Sequence, residues 1–223
     1  MQTSTYNQHA LPVMESLDKQ PARINTSRTD QYEYTLVIKT DNTIAGLLSA
    51  EKKAFTDIYK VEVKMPGELQ IAIMKFQAME DMEPTISRWM QRICGQQESF
   101  IVTLNNYSGF PPNNIHVRVQ YTQAFQALGN QLKVIDNYVK SYGLPAARIS
   151  NHPHLNLIHS IPEAMYRKAM LDYAQRDFHG SFIVNELVLL KQKHQFETAR
   201  KINIFGLLPA LATTVCQEPI ISY

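Results

Sequence analysis

The chain has 223 residues, 44% hydrophobic and 19% charged, which suffices for one large domain or one internally duplicated one and excludes disorder throughout. Its 22 Lys and Arg against 20 Asp and Glu leave a net charge of +2. That excludes a surface that grips a long polyanion, so any nucleic-acid substrate must be held at a small local site.

Residues 1–31 are polar, contain Pro12 and Pro21, show no sustained periodicity and read as a flexible arm. Residues 34–39 (YTLVIK) have the composition of a strand, and Asp41, Asn42 and Thr43 those of a turn and helix cap. A helix follows with Ile44, Leu47, Leu48, Phe55 and Ile58 on roughly one side. After Pro66-Gly67, residues 69–76 read as a second strand. Pro84 opens a helix to about Cys94, with Ile86, Met90 and Ile93 spaced for burial. Residues 98–105 read as a strand that ends in a turn-rich segment, 105–112. The order then begins again: a strand over 115–120, a helix over 122–142, a strand over 153–158, a helix opened by Pro162, and one strand over 181–191. The long helix carries Phe125, Leu128, Leu132, Ile135 and Val139 on one face, and the Pro162 helix Tyr166, Met170 and Tyr173. A final strand, 198–205, precedes a tail at 207–223.

The recurrence is literal at one point, since Ser99-Phe100-Ile101-Val102 reappears as Ser181-Phe182-Ile183-Val184, 82 positions later. The two Pro-initiated helices are offset by 78 positions and the strands before them by 84. Constant order with near-constant offset predicts a duplicated domain over residues 32–206, with lobes of about 32–110 and 113–206 and room for strand exchange between them. Each half is too small to cover its own sheet. The expected class is α+β: two pseudosymmetric lobes, each a mainly antiparallel sheet with helices on its outer side, around a central cleft. On a strand, alternate side chains share a face, so Gln70, Ala72 and Met74 are expected on one side of theirs and His154, Asn156 and Ile158 on one side of the other. Polar residues on strands otherwise apolar cost free energy unless they are bonded or solvated, which directs attention to this pair. The alternative is that Gln70 and His154 are core residues tied to backbone groups.

This arrangement resembles the two-histidine (2H) phosphoesterase superfamily, in particular the LigT-like 2′-5′ RNA ligases and RNA 2′,3′-cyclic phosphodiesterases, over about residues 32–206. That family carries two His-x-Thr/Ser-x motifs, one per lobe. His154-Leu155-Asn156-Leu157 matches the second with Asn in place of the hydroxyl residue. Gln70-Ile71-Ala72-Ile73 stands at the first with Gln for His and Ala for Thr or Ser. The resemblance implies metal-independent acid/base chemistry on a phosphodiester, with no cofactor and with an RNA end or small phosphodiester nucleotide as partner. His154 is the expected catalytic group, with Gln70, Asn156 and His152 binding phosphate. A Gln cannot exchange a proton near neutral pH, so the activity is expected to be attenuated, or replaced by binding alone in a pseudoenzyme. A third reading is a purely structural or protein-binding role.

Strand alternation also places the other polar and aromatic groups nearby. His152, two positions before His154, falls on the same face about 6–7 Å away, although Pro153 marks a strand only beginning. His159 falls on the opposite face. His116 and Arg118 face the cleft or, in the favoured reading, solvent. Lys75 falls on the face opposite Gln70, Lys191 and Lys193 at a solvated strand end, and Tyr107 and Phe110 either stack on a base or pack in the turn. No phosphate loop, dinucleotide fingerprint, nucleophile elbow or zincin motif competes, and no metal is expected because His152 and His154 have no third ligand nearby. Cys94 and Cys216 read as buried, reduced thiols. No apolar stretch reaches the ~20 residues of a membrane span, and residues 1–28 lack the pattern of a secretion signal, so the cytoplasm is the expected location.

Overall fold

Alternation of apolar residues builds the strands, and the helices cover the faces those strands make apolar. The computed structural model describes residues 30–61, 68–193 and 198–210; most of the N-terminal arm, Pro66 and Gly67, Cys216 and most of the tail lie outside the described residues. In chain order the elements are β1 (Gln31–Lys39), α1 (Asn42–Tyr59), β2 (Gln70–Met79), a short 3-10 turn, α2 (Glu83–Cys94), β3 (Phe100–Phe110), β4 (Asn114–Val119) and α3 (Gln123–Ser141). There follow β5 (Arg148–Ile149), β6 (His154–Ile158), α4 (Glu163–Tyr173), β7 (His179–Val184), β8 (Glu186–Gln192) and β9 (Arg200–Gly206).

The strands form two antiparallel sheets, in the orders β5-β2-β1-β8-β9 and β6-β4-β3-β7. Helices α2 and α3 pack on strands of the first sheet, α1 and α4 on strands of the second, giving the expected α+β class with two lobes. The lobes exchange strands: β8 pairs with β1, and β3 pairs with β4. The repeated Ser-Phe-Ile-Val tracts are therefore not counterparts in two sheets. They lie side by side in one, with Phe100 opposite Val184 and Thr103 opposite Ser181.

Most elements follow from local sequence. Asp41 caps α1 by accepting a hydrogen bond from the Ile44 N–H at 2.8 Å. Along α1 the buried stripe is Ile44, Leu48, Lys52, Phe55 and Tyr59, whereas the expected Leu47 and Ile58 lie off its flank and are exposed. All five expected residues of α3 are buried. Cys94 is buried too, and burial pushes its thiol up to about 12, so it stays protonated and unreactive.

Three local expectations change. The strand expected over 181–191 is two strands in different sheets, broken at Asn185. β7 alternates between buried and exposed, as an edge strand does, while β8 is buried on both faces between β1 and β9. The turn expected over 105–112 is mostly strand. The β3–β4 register shifts between Leu104 and Tyr107, where Asn106 adopts a left-handed φ of 56°, and pairing then resumes as far as Phe110 opposite Asn114. Finally, Lys191 does not mark a solvated end. It is 2% exposed, donates to Glu80 at 2.7 Å and Glu83 at 2.8 Å, and lies 4.1 Å above the Tyr32 ring.

Burial alone would lower the Lys191 pKa, but the two carboxylates outweigh it and hold the ammonium above its ordinary range. Lys191→Ala is expected to destabilise the fold by about 1.5–3 kcal/mol, the usual worth of hydrogen bonds to charged groups, as measured by urea unfolding at pH 7. A loss below about 0.5 kcal/mol would show that water replaces the pair at no cost.

Candidate functional site

In β6, Leu155 and Leu157 are buried, which turns His154 and Asn156 to the other face. In β2, Ile71 and Ile73 are buried and turn Gln70 and Ala72 outward in the same way. These outward faces meet. Gln70, Ala72, His154 and Asn156 line one cleft of about 270 Å³, joined by Lys75, Arg148 and Ser150. The structure thus brings together Gln70, His154 and Asn156 of the residues singled out in the sequence.

Lys75 is there because β2 is not regular. Leu36 pairs with Met74 and Val37 with Ala72, so Ile73 is an extra residue in the strand. The bulge buries both Ile73 and Met74 and reverses the alternation beyond it, which moves Lys75 onto the face of Gln70 rather than the opposite one. Lys75 pairs with Glu33 at 2.8 Å. Arg148 is brought in by β5, which pairs Arg148 with Lys75 and Ile149 with Met74. Sequence reasoning missed β5, since two residues are too few to carry a period.

Hydrogen bonds set the chemical character of the second strand. His154 Nδ1 lies 2.9 Å from the backbone oxygen of His152, and a carbonyl can only accept, so Nδ1 carries a proton and the lone pair of the neutral ring falls on Nε2. Asn114 Nδ2 donates to Asn156 Oδ1 at 2.9 Å, which commits the Asn156 oxygen and leaves its NH₂ able to donate to an anion. The site accordingly offers one imidazole base, amide donors and two cationic side chains.

The remaining candidates sort clearly. The His152 side chain lines a neighbouring cavity rather than the cleft, so its contribution here is the backbone carbonyl that fixes His154. His159 Nδ1 is 3.1 Å from Ser160 Oγ. Arg118 is exposed and donates to the Asn105 carbonyl at 3.3 Å. Tyr107 packs edge-on against Tyr173 with ring centroids 4.8 Å apart, and Lys193 pairs with Asp30 at 2.7 Å. His116 does not face solvent: it is 5% exposed, between Phe110 at 4.2 Å and His154 at 4.9 Å, centroid to centroid. The extra residue of the β4–β6 ladder is Leu157 on β6, which buries Ile158 beside it instead of leaving it on the face of Asn156; β4 itself is regular, and His116 pairs with Asn156 on the face that carries His154, where Phe110 covers it. Phe110 remains half exposed, over His116 and edge-on to His154. Among the described residues no group of three or more His, Cys, Asp or Glu is placed to hold a metal, and no helix is long and apolar enough to cross a membrane.

Burial pushes the His116 imidazole down to about 4, and the neighbouring His154 and Arg118 act in the same direction. The unfolded chain takes up this proton near the ordinary 6.5, so stability is fully present above that pH and falls as the pH drops toward 4. Acidification from pH 7 to pH 5 is expected to cost about 2 kcal/mol through this group. Urea unfolding at both pH values is expected to show a smaller acid loss in His116→Gln, by about that amount; an undiminished loss would assign it to other groups.

Neither a family model nor a curated protein sequence matches the chain. Solved structures do. E. coli LigT in its apo form aligns at 15% identity and a TM-score of 0.58, over 80% of this chain and 99% of that one. TT0787 of Thermus thermophilus aligns at 15% identity and a TM-score of 0.59, with the same coverage. E. coli LigT complexed with 3′-AMP gives 15% identity and 0.59, again over 80% and 99% of the two chains. Two antiparallel sheets and four helices among the described residues, with an alignment spanning nearly all of those structures, lead to one conclusion: this chain has the LigT-like fold.

Proposed function

We propose that the cleft between β2 and β6 binds the phosphate of an RNA end or a small phosphodiester nucleotide. His154 then acts on it as a lone, metal-independent acid/base, giving attenuated 2′,3′-cyclic phosphodiesterase or 2′-5′ RNA ligase chemistry. The supporting observation is the convergence of His154, Asn156 and Gln70 with Lys75 and Arg148 in one cleft. The solved complexes of E. coli LigT with phosphate, 3′-AMP and ATP are consistent with a nucleotide ligand for this fold. The same reading takes residues 32–206 as one duplicated unit, with lobes of about 32–110 and 113–206, working in the cytoplasm.

In hydrolysis of a cyclic phosphate, Nε2 of His154 takes a proton from the attacking water, the new P–O bond forms and one ring P–O bond breaks. The NH₂ groups of Asn156 and Gln70 and the Arg148 guanidinium hold the non-bridging oxygens, where negative charge builds. The departing oxygen must collect its proton from solvent, because the Gln70 amide has none to exchange. A missing acid typically costs ~10²–10⁴-fold in rate.

A second reading is favoured by Gln70 and Ala72 at the first motif position: a binding module that holds the nucleotide without turning it over. Release of phosphomonoester from 2′,3′-cyclic AMP separates the two. The first predicts slow turnover that falls at least tenfold in His154→Ala and rises by ~10²-fold or more in Gln70→His/Ala72→Thr. Binding of the nucleotide with no turnover in wild type establishes the module, and absence of both overturns the proposal.

A further inference from the structure

The cleft shares its walls with two other cavities. Ile149 and Ser150 also line a cavity of about 390 Å³ beside α3. On the other flank, Lys75 and Arg148 also line a depression of about 260 Å³. β5 and the residues after it thus form a ridge along which three cavities follow one another. The ridge seats closely on α3 because residue 129 is glycine: a Cβ there would lie 2.9 Å from Ile149 Cγ2.

The two flanks differ in chemistry. The depression beyond Arg148 includes the Glu33 carboxylate, which already holds Lys75 and repels a phosphate. No carboxylate lines the cavity beside α3. It offers the amides of Gln126, Asn130 and Asn151, each able to donate and to accept as a nucleobase edge requires, together with Lys133 and His152. Asn130 and Lys133 are both exposed and three positions apart on α3, so they share a face of the helix. The central cleft, at about 270 Å³, falls just below the ~300–1,000 Å³ usual for a small-ligand pocket, enough for a phosphate and its sugar but leaving little room for more.

We infer that the cavity beside α3 is a second nucleotide subsite, filled when the ligand is a single strand of RNA. The terminal phosphate of that strand lies in the cleft, and the neighbouring nucleotide crosses the Ile149–Ser150 ridge into the cavity beside α3, where Lys133 meets its phosphate and Asn130 its base. This deepens the proposed function and rests on it. A net charge of +2 agrees with a site that contacts a few phosphates and no more.

Calorimetric titration of the full chain with 3′-AMP and with a tetraribonucleotide ending in a 3′-phosphate tests the inference. The tetraribonucleotide is expected to bind at least tenfold more tightly and to lose affinity more steeply as salt rises. Lys133→Ala/Asn130→Ala, two exposed positions whose folding is checked by circular dichroism, is expected to abolish that advantage and leave 3′-AMP affinity unchanged. If 3′-AMP binds and the tetraribonucleotide binds no better, or if the advantage survives the double substitution, the inference falls and the proposed function stands. If neither ligand binds, both fall.

Discussion

The pleat of two strands decides which side chains this protein turns into its cleft. β2 and β6 must each bury one face to complete the core, through Ile71 and Ile73 in one and Leu155 and Leu157 in the other. A strand that buries one row of side chains presents the other row, and it cannot do otherwise without losing the core contacts. Gln70, Ala72, His154 and Asn156 occupy those presented rows. The site is what remains of two core strands once the core has taken its share.

Irregularities then decide what the cleft contains. One extra residue in β2 brings a cation to the face that regular alternation would have denied it, and a two-residue strand beside it supplies a second. His116 shares the face of His154 through the regular alternation of β4, but Phe110 covers it, so it is held neutral and packs as an aromatic ring. The positive charge of the cleft thus comes from Lys75 and Arg148, and His154, whose Nδ1 faces a backbone carbonyl, is the imidazole among its lining residues.

The parts legible in the sequence are those with a period. Strands β1, β2 and β6, all four helices and the facing of Gln70 to His154 follow from apolar spacing and from the order of elements. What stayed illegible depends on tertiary pairing. Nothing local distinguishes Lys75 on a bulged strand from Lys75 on a straight one, and Arg148 lies in a strand with no pattern to detect. Lys191 looks like the polar end of a strand until Glu80 and Glu83, 111 and 108 residues away, close over it. The copies of the repeated Ser-Phe-Ile-Val tract are partners across a ladder in one sheet, a pairing that no local signal marks.

The exchange of β3 and β8 also governs how the chain folds. β1 lies beside β8, so its ladder joins Val37 to Val188 and Glu33 to Gln192 across almost the whole described chain. Neither half can complete its own sheet, and a fragment ending after β3 would leave β1 without β8, and β3 without β4 and β7, their edges exposed to other chains. The two lobes are therefore one cooperative unit, gained or lost together. Such distant pairings must be closed before they contribute, which places the molecule among slow folders of high contact order.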